Sequence, residues 1–322
     1  MAIEKQLEDI AWQVNEVLLG LRTEEAVELV QEGKEDTRWM DWLTEQVIIH
    51  NLPSGFSLAT EEYGVYPTGT TFSPERSVIF ADPIDMSREL ERTLRDCPGR
   101  SVKEALQSRF RWDTFNSAVT SLTAVQDGQV TANVMLSFDL GRLYVASENG
   151  LYTYPIGGEK RGMKVSPATG SYLTTVSLGP RKAHYLDRIT QLNWPQTRHV
   201  EAGPHRILFL TDQYTSSGPK VEGIFSNGEK ITEWIGWLAY SRAANLGVVE
   251  FYLKSDNPQL ATRESSIFGD DGNLDLSALN KHEKPASYRA LMAVMPLDNL
   301  KKFTGHLDAQ SIDYRVLPTI PP

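Results

Sequence analysis

The alternating segments between residues 115 and 154 constrain the fold most. Asp127-Gly128 and Gly141 separate runs in which apolar and polar residues alternate, at 119–125, 130–138 and 143–146. Alternation around a two-residue Asp-Gly turn indicates a hairpin, since these residues tolerate the backbone twist that such turns need. The sequence therefore predicts an antiparallel meander or a set of hairpins.

Helical patterns lie on both sides of these strands. Residues 3–21 place apolar side chains at helical spacing, and residues 37–50 form a second, tryptophan-rich helical stretch. Further along the chain, 206–211 is typical of a buried strand and 233–245 of a helix. Strands and helices interspersed in this way predict a mixed α/β fold.

The densest turn signal near the middle is Pro155-Ile156-Gly157-Gly158. Proline and glycine together mark chain reversals and connections between units. We place a boundary here, between an N-terminal α+β half, 1–155, and a C-terminal α/β half, 156–322.

Charge and composition limit the partners. The 42 acidic residues exceed the 32 basic residues and give a formal charge of -10, which argues against binding to nucleic acid polymers. The single cysteine, Cys97, cannot form an intrachain disulfide, and no run of about 18 apolar residues indicates a membrane span. We expect a cytoplasmic protein that does not bind membranes.

Two short apolar runs, 56–60 and 77–81, each end at carboxylates. Glu61 follows the first run, and Asp82 and Asp85 follow the second. Only a loop is predicted between the runs, at 63–75, so the two strands can be neighbours. Hard cations take oxygen ligands, so these three side chains predict a Mg²⁺ site.

The residues around the second pair of carboxylates suit both a metal and a phosphate. Pro83 stiffens the backbone, so that Asp82, the carbonyl of Ile84 and Asp85 can point the same way. Residues 86–92 resemble the first turn of a helix, whose N–H groups favour a phosphate, and Ser87 adds a hydroxyl.

A plainer interpretation remains open on spacing alone. Asp85 or Ser87 would merely cap a helix, and Glu61-Glu62 would lie on a solvated edge. The spacing does not choose between this interpretation and a metal site.

Three motifs, in order, resemble the inositol monophosphatase and fructose bisphosphatase superfamily. Asp82-Pro83-Ile84-Asp85-Met86-Ser87 is similar to its Asp-Pro-Ile-Asp-Gly-Thr/Ser turn, and Thr60-Glu61-Glu62 to its Gly-Glu-Glu. Residues 34–47, with Asp41, resemble the helix that bears its Thr-x-x-Asp motif. Later strand and turn segments extend the likeness over most of the chain, at 117–146, 268–272 and 288–293.

The resemblance implies a layered α/β/α/β sugar-phosphatase fold and a homodimer. It also implies a Mg²⁺-dependent phosphomonoesterase that hydrolyses a small phosphorylated metabolite, such as an inositol, sugar or nucleotide phosphate. Glu61, Asp82 and the carbonyl of Ile84 would bind one metal ion, and Asp82 and Asp85 would bind a second. Asp41 and Ser87 would orient the attacking water, and the amides of Met86 and Ser87 would hold the phosphate.

The sequence departs from the family pattern at three places. Met86 stands where the family has glycine, which strains the backbone if that position needs a positive φ and is tolerated if it is helical. Arg38 stands where a threonine is common, and the Trp-Asp motif has no clear counterpart, since Asp256 is typical of a turn. An alternative function is therefore a catalytically impaired protein that binds a phosphorylated ligand or a partner.

Overall fold

The computed structural model describes most of the N-terminal half and selected parts of the remainder. The described residues are 2–31, 37–60, 64–73, 75–109, 118–162, 199–201, 224–228, 231–243, 245–252, 266–269, 271–277 and 290–317. Among them, no helix is long and apolar enough to span a membrane.

The first sheet contains eight of the described strands, in the order β2-β1-β3-β4-β5-β6-β7-β8. Strands β1 and β3 are parallel, and every other neighbouring pair is antiparallel. The strands are β1 Phe56–Thr60, β2 Gly64–Tyr66, β3 Ser77–Asp85, β4 Val119–Gln126, β5 Gln129–Ser137, β6 Arg142–Ser147, β7 Gly150–Pro155 and β8 Arg161–Gly162.

The second sheet contains five described strands, in the order β13-β11-β12-β10-β9. Its β9–β10 pair is parallel and its other pairs are antiparallel. The strands are β9 His199–Glu201, β10 Ile224–Gly228, β11 Leu246–Tyr252, β12 Ala290–Pro296 and β13 Asp313–Leu317.

Seven helices lie within the described residues. They are α1 Ile3–Gly20, α2 Thr23–Ala26, α3 Trp39–His50, α4 Ser87–Arg95, α5 Val102–Arg109, α6 Ile231–Ala243 and α7 Leu297–Ala309. Helices α1 and α3 pack on one face of the first sheet, and α6 contacts strands of both sheets.

The alternation of β3 shows how the layers are separated. Ile79 and Ala81 point into the core shared with α1 and α3, whereas Val78 and Phe80 point into the core that contains α6. On the outer face of the second sheet, Phe303 of α7 packs edge to face on Phe251, with ring centroids 5.9 Å apart. The predicted mixed, layered α/β fold is therefore confirmed, with α7 as a further layer.

The segment 266–277, of which residues 266–269 and 271–277 are described, contacts both sheets. The Ser266 hydroxyl donates a hydrogen bond of 2.7 Å to Glu250 of β11. At the other end, the Leu274 N–H donates to the carbonyl of Gly128, in the β4–β5 turn, at 2.8 Å. A side chain at Gly128 would place its Cβ 2.7 Å from the Leu274 carbonyl oxygen, so this approach requires glycine.

The local predictions hold for the meander, which forms β4 to β7, and for the helices at 3–21, 37–50 and 233–245. The predicted loop at 63–75 is partly wrong, because Gly64–Tyr66 forms β2, which pairs antiparallel with β1. Gly64, with φ of 92°, pairs with Thr60. The strand predicted at 206–211 lies outside the described residues, and the division at 155 stays a prediction.

Candidate functional site

A bulge at the end of β3 orients the two predicted aspartates. Asp82 pairs with Ser121 of β4, and Asp85 pairs with Val119. Three residues along β3 therefore lie opposite two residues along β4, so β3 contains one extra residue, a bulge. Ser121 and Val119 are two residues apart and lie on one face of the sheet. Because paired residues of an antiparallel sheet share a face, Asp82 and Asp85 lie on that face as well.

The backbone between the aspartates is held firmly. Asp82 and Ile84 are buried, and the Thr120 hydroxyl donates a 2.6 Å hydrogen bond to the Pro83 carbonyl. Strand β3 continues to Asp85, so the predicted turn after Ala81 is replaced by a bulged strand. The bulge, rather than a turn stiffened by Pro83, is what orients Asp82 and Asp85 in the same direction.

Met86 joins the strand to α4 in a left-handed conformation, with φ of 67° and ψ of 30°. Helix α4 begins at Ser87, so the prediction that Met86 belongs to the first helical turn is wrong. The N-cap residue is Met86, which makes no side-chain capping hydrogen bond. Neither Asp85 nor Ser87 occupies the N-cap position that the plainer interpretation gave them.

A substitution at Met86 tests this conformation. The left-handed region costs a residue with a Cβ roughly 1–2 kcal/mol, and glycine avoids this cost. We expect the free energy of unfolding of Met86→Gly to exceed that of Met86→Ala by about 1 kcal/mol in urea denaturation. At exposed Arg92 of α4 the order should be reversed, since alanine favours a helix over glycine. The same order at both positions would contradict the assignment.

Helix α3 buries two more carboxylates, one of which contacts β1. Asp41 and Glu45 are one helical turn apart and are only 5% and 1% exposed. The Thr60 hydroxyl, at the end of β1, donates a hydrogen bond to Glu45. Glu45 is not among the site residues predicted from the sequence, although its spacing of four residues from Asp41 on an apolar helix was an available signal.

Glu61 lies outside the described residues, as does Asp256. Thr60, which precedes Glu61 in the sequence, pairs with Ala81, which precedes Asp82. The register of these parallel strands therefore places the end of β1 beside Ala81 of β3, directly before Asp82.

The oxygen atoms of the described candidate ligands are of the type that binds a divalent cation. Asp82, Asp85 and the Ile84 carbonyl supply oxygen, which hard cations prefer. Among the residues that the structure describes, no three His, Cys, Asp or Glu side chains form a group that could hold a metal. A third carboxylate for this set would be the predicted ligand Glu61.

Comparison with solved structures identifies the fold. A hypothetical protein from Pyrococcus horikoshii with similarities to inositol-1 monophosphatase aligns over 97% of this chain and 99% of its own, with a TM-score of 0.55 and 14% identity. CysQ from Bacteroides thetaiotaomicron, a bacterial member of the inositol monophosphatase family, aligns over 91% and 96%, with a TM-score of 0.52 and 12% identity.

A calcium-bound inositol monophosphatase family protein from Staphylococcus aureus aligns over 97% of both chains, with a TM-score of 0.52 and 11% identity. The sequence matches no protein-family model and no curated protein sequence. The chain thus has the inositol monophosphatase-like fold, and the predicted resemblance is confirmed at the level of the fold.

Proposed function

We propose that this chain is a Mg²⁺-dependent phosphomonoesterase that hydrolyses a small phosphorylated metabolite, such as an inositol, sugar or nucleotide phosphate. One observation carries the proposal. The bulge in β3 puts Asp82 and Asp85 on the same face of the sheet, immediately before the N-terminus of α4. Cation ligands and a phosphate-binding helix end therefore follow one another within a few residues.

Glu61, Asp82 and the Ile84 carbonyl would hold one metal ion, and Asp82 and Asp85 would hold a second. A bound divalent cation supplies positive charge that polarises phosphoryl oxygens and acidifies water. The calcium-bound Staphylococcus aureus protein of the same fold supports a divalent cation, and an all-oxygen ligand set is compatible with Mg²⁺. The protein's own contribution is to fix these oxygens on a buried, bulged strand.

The phosphate would lie at the start of α4. The amides of Met86 and Ser87 precede the intrahelical hydrogen bonds, the first of which runs from Leu90 N–H to the Met86 carbonyl at 3.0 Å. Such amides and the helix dipole favour an anion. Asp41 would accept a hydrogen bond from the attacking water and Ser87 would orient it, so no side chain acts as a nucleophile.

A second function is favoured by Met86. A methionine in the left-handed region is strained, and this residue itself carries one of the two proposed phosphate amides. A strained residue at this position is compatible with a protein that binds a phosphorylated ligand or partner without turnover.

Phosphate release tests the choice. The intact chain is assayed with a panel of inositol, fructose, histidinol and adenosine phosphates, with Mg²⁺ and then with excess EDTA. We expect release from at least one substrate, reduced by about a hundredfold or more without the cation, because metal-ion charge contributes several kcal/mol to such reactions. If a folded protein releases no phosphate from any member, the binding function replaces the enzyme.

A further inference from the structure

An ion pair between two helices lies one turn from each of the proposed water-orienting residues. Arg38, the N-cap residue of α3, donates from Nε to Glu91 Oε2 at 2.9 Å, and its second guanidinium nitrogen lies 2.8 Å from the same oxygen. Both side chains are largely buried, at 15% and 13% exposure. Pairs of this geometry and burial are more rigid than pairs at an open surface.

Glu91 is also held by its own helix. Arg95 donates from Nε to Glu91 Oε1 at 2.8 Å, and its second guanidinium contact to that oxygen is 2.7 Å. Each carboxylate oxygen is thus occupied by a different arginine. Burial alone would raise the pKa of Glu91, but the hydrogen bonds from Arg95 and Arg38 outweigh burial and lower it. The carboxylate is therefore charged at neutral pH.

The backbone of Arg38 is fixed as well. It forms an antiparallel bridge with Leu29, and the neighbouring Trp39 N–H donates to the Glu28 carbonyl at 2.7 Å. The guanidinium therefore extends from an anchored point rather than from a loose helix end. The ion pair therefore connects Glu91 of α4 to an anchored residue at the start of α3.

Both members of the ion pair lie one helical turn from a proposed water-orienting residue. Asp41 lies three residues after Arg38, and Ser87 lies four residues before Glu91. Residues three and four apart lie on the same side of a helix. The Arg38–Glu91 pair thus links the helix turn that carries Asp41 to the helix that begins with Ser87.

We propose that Arg38 is a positioning residue, which through Glu91 sets the separation of Asp41 and Ser87. The inference rests on the proposed function of these two residues. It also gives a role to Arg38, at a position where the resembling family often has threonine. In this proposal, the ion pair between Arg38 and Glu91 takes the place of the threonine hydroxyl of the resembling family.

The first test compares Arg38→Ala with Arg95→Ala in the full-length chain. Both changes remove an arginine from Glu91, but Arg95 is 58% exposed and lies on the same helix as its partner. For Arg38→Ala we expect kcat to fall about tenfold with little change in KM, because small misplacements of orienting groups slow the chemical step. Arg95→Ala should stay close to the intact chain.

Arg38→Lys provides a further check. Lysine keeps the charge but cannot fill both contacts, so it should recover part of the lost kcat. Equal losses for Arg38→Ala and Arg95→Ala, or a change confined to KM, would overturn the proposal.

Hydrogen exchange separates this inference from the proposed function, since it needs no substrate. In Arg38→Ala, exchange should increase both at 39–44 and at 87–91, whereas in Arg95→Ala the increase should be confined to α4. If the intact chain releases no phosphate, the enzyme is rejected and exchange still decides whether the pair links the helices. Unchanged exchange at 39–44 in Arg38→Ala would refute the link itself.

Discussion

Asp82→Asn is expected to lower phosphate release by about a thousandfold, since loss of a cation ligand removes several kcal/mol of charge stabilisation and each 1.4 kcal/mol is a factor of ten. Asp82 is 3% exposed and lies at the bulge of β3. The amide has nearly the same shape as the carboxylate, so the fold should persist. The measurement is phosphate release at saturating Mg²⁺ on the best substrate of the panel.

The matched control is Asp127→Asn. Asp127 has φ of 50° in the β4–β5 turn, a conformation that asparagine tolerates equally well. This variant should release phosphate at the rate of the intact chain. A second readout is thermal: Mg²⁺ should raise the melting temperature of the control but not of Asp82→Asn, because a ligand stabilises the state that binds it. Retained activity in Asp82→Asn would remove this residue from the site.

Phe80→Ala is expected to lower the free energy of unfolding by about 3–5 kcal/mol, the usual range for removing a buried phenylalanine. Phe80 is 1% exposed and projects from β3 into the core that contains α6. The substitution therefore removes contacts at the interface between the first sheet and α6. Urea denaturation followed by circular dichroism measures the change, which is a large fraction of ordinary domain stability.

Two variants sharpen this measurement. Phe80→Leu keeps most of the volume and should cost far less than alanine. Phe56→Ala removes the same side chain from neighbouring β1, where it is only partly buried, so its cost should be smaller than that of Phe80→Ala. Similar costs for the two alanine variants would show that Phe80 is not in the main interior.

Local patterns were sufficient for much of the fold. The alternation around Asp127-Gly128 predicts β4 and β5, and the apolar spacing at 3–21 predicts α1, because each pattern is set by neighbours within one element. Strand β2 was missed for a related reason. It has three residues of intermediate burial, too few to show an alternation.

The site depends on relations that no local pattern contains. That Asp82 and Asp85 share a face follows from the register with β4, about 40 residues away in the sequence. The left-handed conformation of Met86 is equally hidden, since methionine has no preference for it. The apolar runs that end at carboxylates and the motif resemblance both indicated Asp82 and Asp85, whereas the bulge and the ion pair of Arg38 required the structure.

The position of α6 was also hidden from the sequence. The sequence predicts a helix at 233–245, but a mostly apolar pattern with little difference between its faces indicates only burial, not which layers the helix separates. Ile235 and Leu238 are fully buried in the core between the two sheets. One helix therefore supplies a shared interior for both sheets.

The segment at 266–277 has a consequence for how such a chain evolves. It hydrogen-bonds Glu250 in one sheet and Gly128 in a turn of the other. Recombination that exchanged only one sheet would have to preserve both attachment points, and the glycine in particular accepts no larger residue. The two sheets are therefore expected to be inherited as a unit, with sequence change concentrated in surfaces that neither α6 nor this segment contacts.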